Sequence, residues 1–438
     1  MNNMNGDIYL YCVILCIAFL LCNICHVGLR NKTFCLPSTM FAIMWAITTY
    51  GLYLASIPGG LYKDSQLKYT ALLEKFGYYQ FEILLVCFLA FFLAHYTLRN
   101  VTFFSYKKLT ANKEIPLFIA KFRWILYLLF AFGMFRLISV VAVVGFDYSA
   151  MREYYLVSRI NFSGYDNMII RIGSYIVQLA MLYVAMYGVY SAVYGIDFRR
   201  LIINFVLFSP FQLSFGGRLY ILSFFVPFLL SYVTVKTING QSIFKDKRNL
   251  KKLVLLIAIP IILTTVAQSL KHDKDSQKVD TEESIQDLFY TSSIYIRINE
   301  QWKKIPFEEY RELGLGRNCA PYLFTKSPDY RQMLEGWSQT GNYAFVCVPS
   351  MMPEMYLDFG RYGSLFVYFI VFYIVEYIAI KKLTKFSFEN LVIYILLCLF
   401  AFNTASSAMS TNFKTIIVGL AFMWIFNKMY KRRILARG

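Results

Sequence analysis

The strongest constraint on this chain is a succession of apolar runs long enough to cross a bilayer. A helical crossing takes ~20 residues, and in hydrocarbon only a helix or a closed barrel satisfies its own backbone. About eleven runs reach or approach that length, at roughly 8–29, 36–58, 78–98, 124–146, 168–194, 201–215, 219–235, 253–270, 362–380, 390–409 and 414–430. The sixth and seventh are short and read as a hairpin around Phe215-Gly216-Gly217-Arg218. Of the whole chain, 58% is hydrophobic and 16% charged, against roughly 25% charged in soluble domains. The expected fold is therefore all-α, a polytopic transmembrane helix bundle. Spans 1–8 fall in residues 1–270, a large loop in 271–349, and a re-entry segment, spans 9–11 and a basic tail in 350–438. The first run is expected to stay as a span. Met1 to Asp7 holds no Lys or Arg, and more spans follow, unlike a cleaved signal peptide.

Charge sets the expected orientation. The net charge is +18, yet residues 271–349 carry ten Lys or Arg and twelve Asp or Glu. The positive excess lies in short connectors: Arg99 to Arg123, Arg199 and Arg200, Lys236 to Lys252, Lys381 to Lys385, and the tail from Lys428 to Arg437. In an eleven-span topology these all fall on one side, which the positive-inside rule makes cytoplasmic. The N-terminus is then outside, the C-terminus inside, and 271–349 forms an outer loop with helix-like patterning over Ser284–Ile305. Such a balance suits anionic membrane lipids. No nucleic-acid motif accompanies it, so no nucleic-acid partner is expected.

Several motifs are set aside. Cys22-Asn23-Ile24-Cys25-His26 matches the C-x-x-C-H haem attachment pattern, but it lies at the inner end of the first apolar run, where haem is not attached. Cys319 and Cys347 share the outer loop and either pair or stay as two thiols. The three histidines, His26, His95 and His272, have no metal-ligand spacing. Neither a P-loop, a dinucleotide fingerprint nor a Ser-His-Asp pattern is present. No metal and no cofactor is expected.

The chemistry is carried by arginines. Arg136 has ten or so apolar neighbours on either side within Trp124–Phe146, and a charge at such depth costs at least ~2.5–3.5 kcal/mol on insertion scales. It needs a protein interior, a wet cavity or an anionic partner. Arg152, Arg159 and Arg171 follow in or after the next loop, Arg218 closes the Gly-Gly turn, and Arg361 opens the ninth span beside Glu354 and Asp358. The topology puts all of them toward the outer face; Glu376 alone lies in an inner half. Snorkelling to headgroups is an equal alternative for Arg152, Arg159 and Arg171. A planar guanidinium fork binds phosphate oxygens two at a time, so the cluster suits a lipid diphosphate. Such a diphosphate leaves readily once arginines neutralise it, with no need for a metal. Arg136, Arg218, Arg152, Arg171 and Arg361 are the candidate diphosphate-binding residues.

Residues 210–225, PFQLSFGGRLYILSFF, resemble the Gly-Arg turn of Wzy-type O-antigen and capsule polymerases, and 353–363, PEMYLDFGRYG, resemble the segment by which that family re-enters the membrane after its large outer loop. The layout of spans, loop and basic tail is similar too. The resemblance implies a metal-independent glycosyltransferase. It would join undecaprenyl-diphosphate-linked oligosaccharide repeat units on the outer face of the bacterial inner membrane, with a chain-length regulator protein as a partner. Glu354 and Asp358, four residues apart on one helix face, are candidate bases for the attacking sugar hydroxyl. Glu354 follows Pro353, a favoured first helical residue. Two other readings of Glu354 stay open: a charge that stabilises the helix N-terminus, and a salt bridge to Arg361 or Arg218.

Three rival readings are weighed. The related ligases typically carry a His-Asn pair just before the re-entry segment, where this chain reads Val346-Cys347-Val348-Pro349-Ser350. A lipid-linked oligosaccharide flippase or other transporter would line both halves of the membrane with charge and usually show internal repeats, and neither is seen. A purely structural subunit would leave Arg136 unexplained.

Overall fold

A computed structural model describes residues 4–31, 36–56, 70–102, 113–146, 165–214, 219–238, 351–385, 387–405 and 409–428, together with isolated residues 150, 151, 154, 251, 254, 255, 258, 259, 262, 315 and 317. The described residues contain helices and no strand. In chain order they are α1 (Met4–Asn31), α2 (Pro37–Ser56), α3 (Thr70–Thr97), α4 (Glu114–Phe122), α5 (Trp124–Val144), α6 (Tyr165–Tyr194), α7 (Phe198–Leu213), α8 (Leu219–Ile238), α9 (Met351–Thr384), α10 (Phe388–Asn403) and α11 (Met409–Phe426). Most of the expected eighth span and nearly all of the 271–349 loop, with Cys319 and Cys347, lie outside the described residues.

Four helical stretches are long and apolar enough to cross a membrane: Gly77–Thr97, Glu114–Val144, Ile172–Tyr194 and Glu354–Thr384. Their outer surfaces are apolar as well. Phe92, Phe135, Ile138, Val143 and Phe366 are all more than half exposed, an arrangement that water penalises over any large patch and hydrocarbon does not.

The chain divides into two compact units. The first comprises Met1–Val101, Asp280–Lys381 and Leu397–Lys414, and the second Thr102–Val279, Lys382–Leu396 and Thr415–Gly438. The division therefore does not follow sequence order. In the first unit α1 packs on α2 and α3, around a ring cluster in which Phe41 meets Phe88, Phe91 and Phe372 edge-on, a favoured aromatic geometry.

In the second unit α6 is the central helix, packed against α4, α5, α7 and α8. The amphipathic α4 buries Ile115, Phe118 and Phe122, and Phe118 meets Phe388, Phe422 and Phe426. The junctions in this unit have local causes. α5 stops at Gly145, whose positive φ of 74° suits glycine. α6 leads through Gly195, φ 99°, into Asp197, whose side chain caps α7 by accepting from the Arg200 amide at 3.2 Å.

Close helix approach needs small residues where no hydrophobic force separates helix from lipid. Gly133 of α5 lies so near α7 that a Cβ there would overlap the Phe211 backbone, and Gly188 of α6 is placed likewise against the Phe228 carbonyl of α8.

Candidate functional site

Arg136 belongs to the second unit. Its side chain is 1% exposed, so snorkelling to a surface is not its solution. Instead Nη1 donates to the Ser214 carbonyl at 3.1 Å and to Ser214 Oγ at 2.6 Å. Ser214 Oγ in turn donates a hydrogen bond to the Phe211 carbonyl at 2.6 Å. Ser214 is the C-terminal cap of α7, where carbonyls lack helical partners and the helix dipole places partial negative charge. The buried cation thus sits against the negative end of a helix. Gly133, one turn earlier on α5, is what lets the two helices come this close. Ser214 directly precedes Phe215-Gly216-Gly217-Arg218 in the chain. Arg218 itself lies outside the described residues, as do Arg152 and Arg159. Arg171 falls in the first turns of α6, and nothing is described of its side chain.

Glu354, Asp358 and Arg361 belong to the first unit. α9 begins at Met351, whose amide donates to the Thr404 carbonyl at 3.1 Å. That start is two residues earlier than Pro353 suggested, because a tertiary partner takes the first amide. Glu354 still falls in the first turn, and the proline costs nothing there, since first-turn amides have no helical acceptor. The helix breaks at Gly360, φ 67° and ψ −173°. The segment before the break is buried on all sides: Met351, Met352, Met355, Tyr356 and Leu357 join Glu354 and Asp358, both 0% exposed.

The two carboxylates share a segment, as their spacing implied, but they stand in the interior rather than at an open mouth, and each is engaged with neighbouring groups. The Asp358 carbonyl, next to the break, accepts the Leu315 amide at 3.0 Å. This is the described contact between the 271–349 stretch and α9. Leu315 holds a positive φ of 46°, unusual for a branched side chain, between Gly314 and Gly316.

Arg361, just past the break, is half-exposed and turns its fork on Glu82 of α3. Nε donates to Oε2 at 3.0 Å and Nη2 to Oε1 at 2.5 Å. The carboxylate bound by Arg361 is therefore Glu82 and not Glu354. Beside this pair, Tyr79 Oη lies 2.6 Å from Ser364 Oγ, and the Tyr79 ring meets Tyr356 edge-on. Sequence reasoning missed Glu82 because it lies 279 positions from its partner; an acidic residue inside an apolar run was the available signal.

No family model, curated protein or solved structure matches the chain. The functional reading accordingly rests on the residues themselves.

Proposed function

We propose that this chain is a multi-pass enzyme of the bacterial cytoplasmic membrane that polymerises undecaprenyl-diphosphate-linked oligosaccharide repeat units into O-antigen or capsular polysaccharide at the outer face. The observation that carries the reading is Arg136. It is a buried cation in an apolar helix, fastened to the helix end that leads into Gly216-Gly217-Arg218. Burying a charge is costly, and a cation kept beside a Gly-Arg turn suits the binding of an anionic headgroup. In this reading Arg136 and Arg218 bind the donor diphosphate and neutralise it as it leaves. Arg152, Arg171 and Arg361 are further candidates, and Glu354 and Asp358 are candidates for the base. Leaving-group charge is met by guanidinium, so the transfer is metal-independent.

Side-chain pairs at helix ends suit headgroup regions, without telling the two sides of the membrane apart. Arg99 lies 4.9 Å over Tyr96, Arg123 5.7 Å over Tyr127, Lys236 5.9 Å over Tyr232, Lys381 5.4 Å over Tyr377 and Lys428 4.8 Å over Trp424. All five cations belong to connectors assigned to the cytoplasm. Basic side chains beside Tyr and Trp are what a headgroup region favours. Arg361 lies likewise over Tyr362, at 5.9 Å, on the side assigned as outer.

Deletion of the gene tests the function. A polymerase mutant leaves lipid A core capped with a single repeat unit, whereas a ligase mutant leaves it bare. Bare core in the deletion strain, or unchanged long chains, rejects the proposal. Among point variants, Arg218→Ala removes chain elongation and Arg218→Lys fails to restore it fully, because a point charge does not reproduce the fork.

A further inference from the structure

Glu376, a membrane-depth charge with no role in the candidate site, lies on α9 and is 0% exposed. Its two oxygens are surrounded by donors of the first unit. Oε2 accepts the Ser38 amide at 2.9 Å, Oε1 accepts Ser38 Oγ at 2.6 Å, and His95 Nε2 of α3 stands 2.8 Å from Oε1. Ser38 Oγ also receives Asn23 Nδ2 of α1 at 2.8 Å, and the same nitrogen reaches Thr39 Oγ1 at 3.1 Å. Ser38 and Thr39 are in the first turn of α2, where amides lack helical acceptors and the dipole favours an anion. Glu376 is thus the capping anion of α2, supplied by a different helix. Both donors of Ser38 point at this carboxylate, and Asn23 braces Ser38 and Thr39 from behind.

The other contacts of α2 lead to the candidate base segment. Seven residues on from Ser38, or ~10 Å of helix, Trp45 Nε1 donates to Thr404 Oγ1 at 3.2 Å. The Thr404 carbonyl receives the Met351 amide at 3.1 Å, and the Met351 carbonyl receives Tyr368 Oη at 3.3 Å. One turn further, Thr49 Oγ1 accepts Gln80 Nε2 of α3 at 2.6 Å. A helix does not stretch, so the cap at one end of this stretch sets where Trp45 meets Thr404.

We infer that Glu376 is a positioning residue: acting through α2 as a strut, it sets the start of the segment that carries Glu354 and Asp358. Its link to the reaction rests on the polymerase reading; its link to the segment does not. Replacing Glu376 by Gln keeps the shape but presents an NH2 group where the carboxylate accepts from Ser38. Trp45→Phe keeps an aromatic side chain beside Phe41 and removes the far-end hydrogen bond, along with some buried volume.

Hydrogen–deuterium exchange on the full-length protein in lipid nanodiscs decides the matter. Glu376→Gln is expected to speed amide exchange about ten-fold both at 38–41 and at 351–357, and Trp45→Phe at 351–357 alone. Faster exchange at 38–41 with 351–357 unchanged overturns the strut, as does no change at 38–41. If Glu376→Gln loosens the whole protein, Trp45→Phe decides alone: faster exchange confined to 351–357 supports the strut, and wild-type exchange overturns it. In cells both variants are expected to shorten the glycan. Long glycan despite a loosened 351–357 overturns the catalytic consequence. A deletion strain that still polymerises removes only the polymerase reading, because exchange measures the strut without reference to activity.

Discussion

At the scale of single residues, burial separates arginines that the sequence treats alike. Arg136 is enclosed and held by a helix end, whereas Arg361 is half-exposed and held by Glu82. Exposed ion pairs contribute only ~0.2–1 kcal/mol, so Arg361 remains free in energy to exchange Glu82 for another anion. A charge-assisted hydrogen bond inside the protein is worth ~1.5–3 kcal/mol. Arg136→Ala is expected to lower the polymerisation rate by about 10- to 100-fold, the equivalent of one such bond to the departing diphosphate at 1.36 kcal/mol per decade. The measure is glycan length on gels at matched protein level, and wild-type length removes Arg136 from the mechanism. For the base, Glu354→Gln keeps the shape and loses the charge. Long glycan in this variant, with none in Arg218→Ala, ends the base role and leaves positioning by arginine alone.

At the scale of elements, one glycine in each unit shapes the surroundings of candidate residues. Gly133 allows α5 to reach α7, which is what brings Arg136 to Ser214. A methyl group there must push backbone aside, a strain of about 1–3 kcal/mol. Gly133→Ala is therefore expected to mimic a mild Arg136 defect, with a lower melting temperature in detergent; unchanged melting and glycan length would show that α5 can retreat without consequence. Gly360 ends the buried first segment of α9 with a positive φ. With ψ at −173° this is a backbone region held almost only by glycine, where an L side chain costs about 1–3 kcal/mol. Gly360→Ala is expected to destabilise the protein by roughly that amount in thermal melts, and to do so while leaving the Arg361–Glu82 pair formed. Equal stability would mean that the break relaxes into continuous helix.

At the scale of the whole molecule, the testable quantity is orientation. Reporter fusions at Lys108, Lys247 and Arg433 are expected to read cytoplasmic, and one near Leu313 periplasmic. The physical basis is the +18 net charge, concentrated outside 271–349. A cytoplasmic signal near Leu313 would turn the whole arrangement over, and the diphosphate proposal with it.

The amino-acid sequence by itself determined that the fold is helical and apolar, and it singled out Arg136 and Glu376 as charges in the wrong place. Both are one-dimensional properties: the length of an apolar run and the identity of a residue within it. The start of α5 at Trp124 and the first-turn position of Glu354 were legible for the same reason, since they follow from neighbours in the chain. Only the tertiary structure decided what those charges touch. Arg136 found Ser214 because a glycine lets two helices close up. Glu376 found Ser38 across 338 positions, and Arg361 chose Glu82 over the nearer Glu354. It likewise decided that α9 begins at Met351 and breaks at Gly360, the first because Thr404 offers a carbonyl. Hydrogen-bond partners of buried charges depend on how helices pack, and in an apolar solvent that packing is set by shape and small residues, which no local pattern of hydrophobicity records.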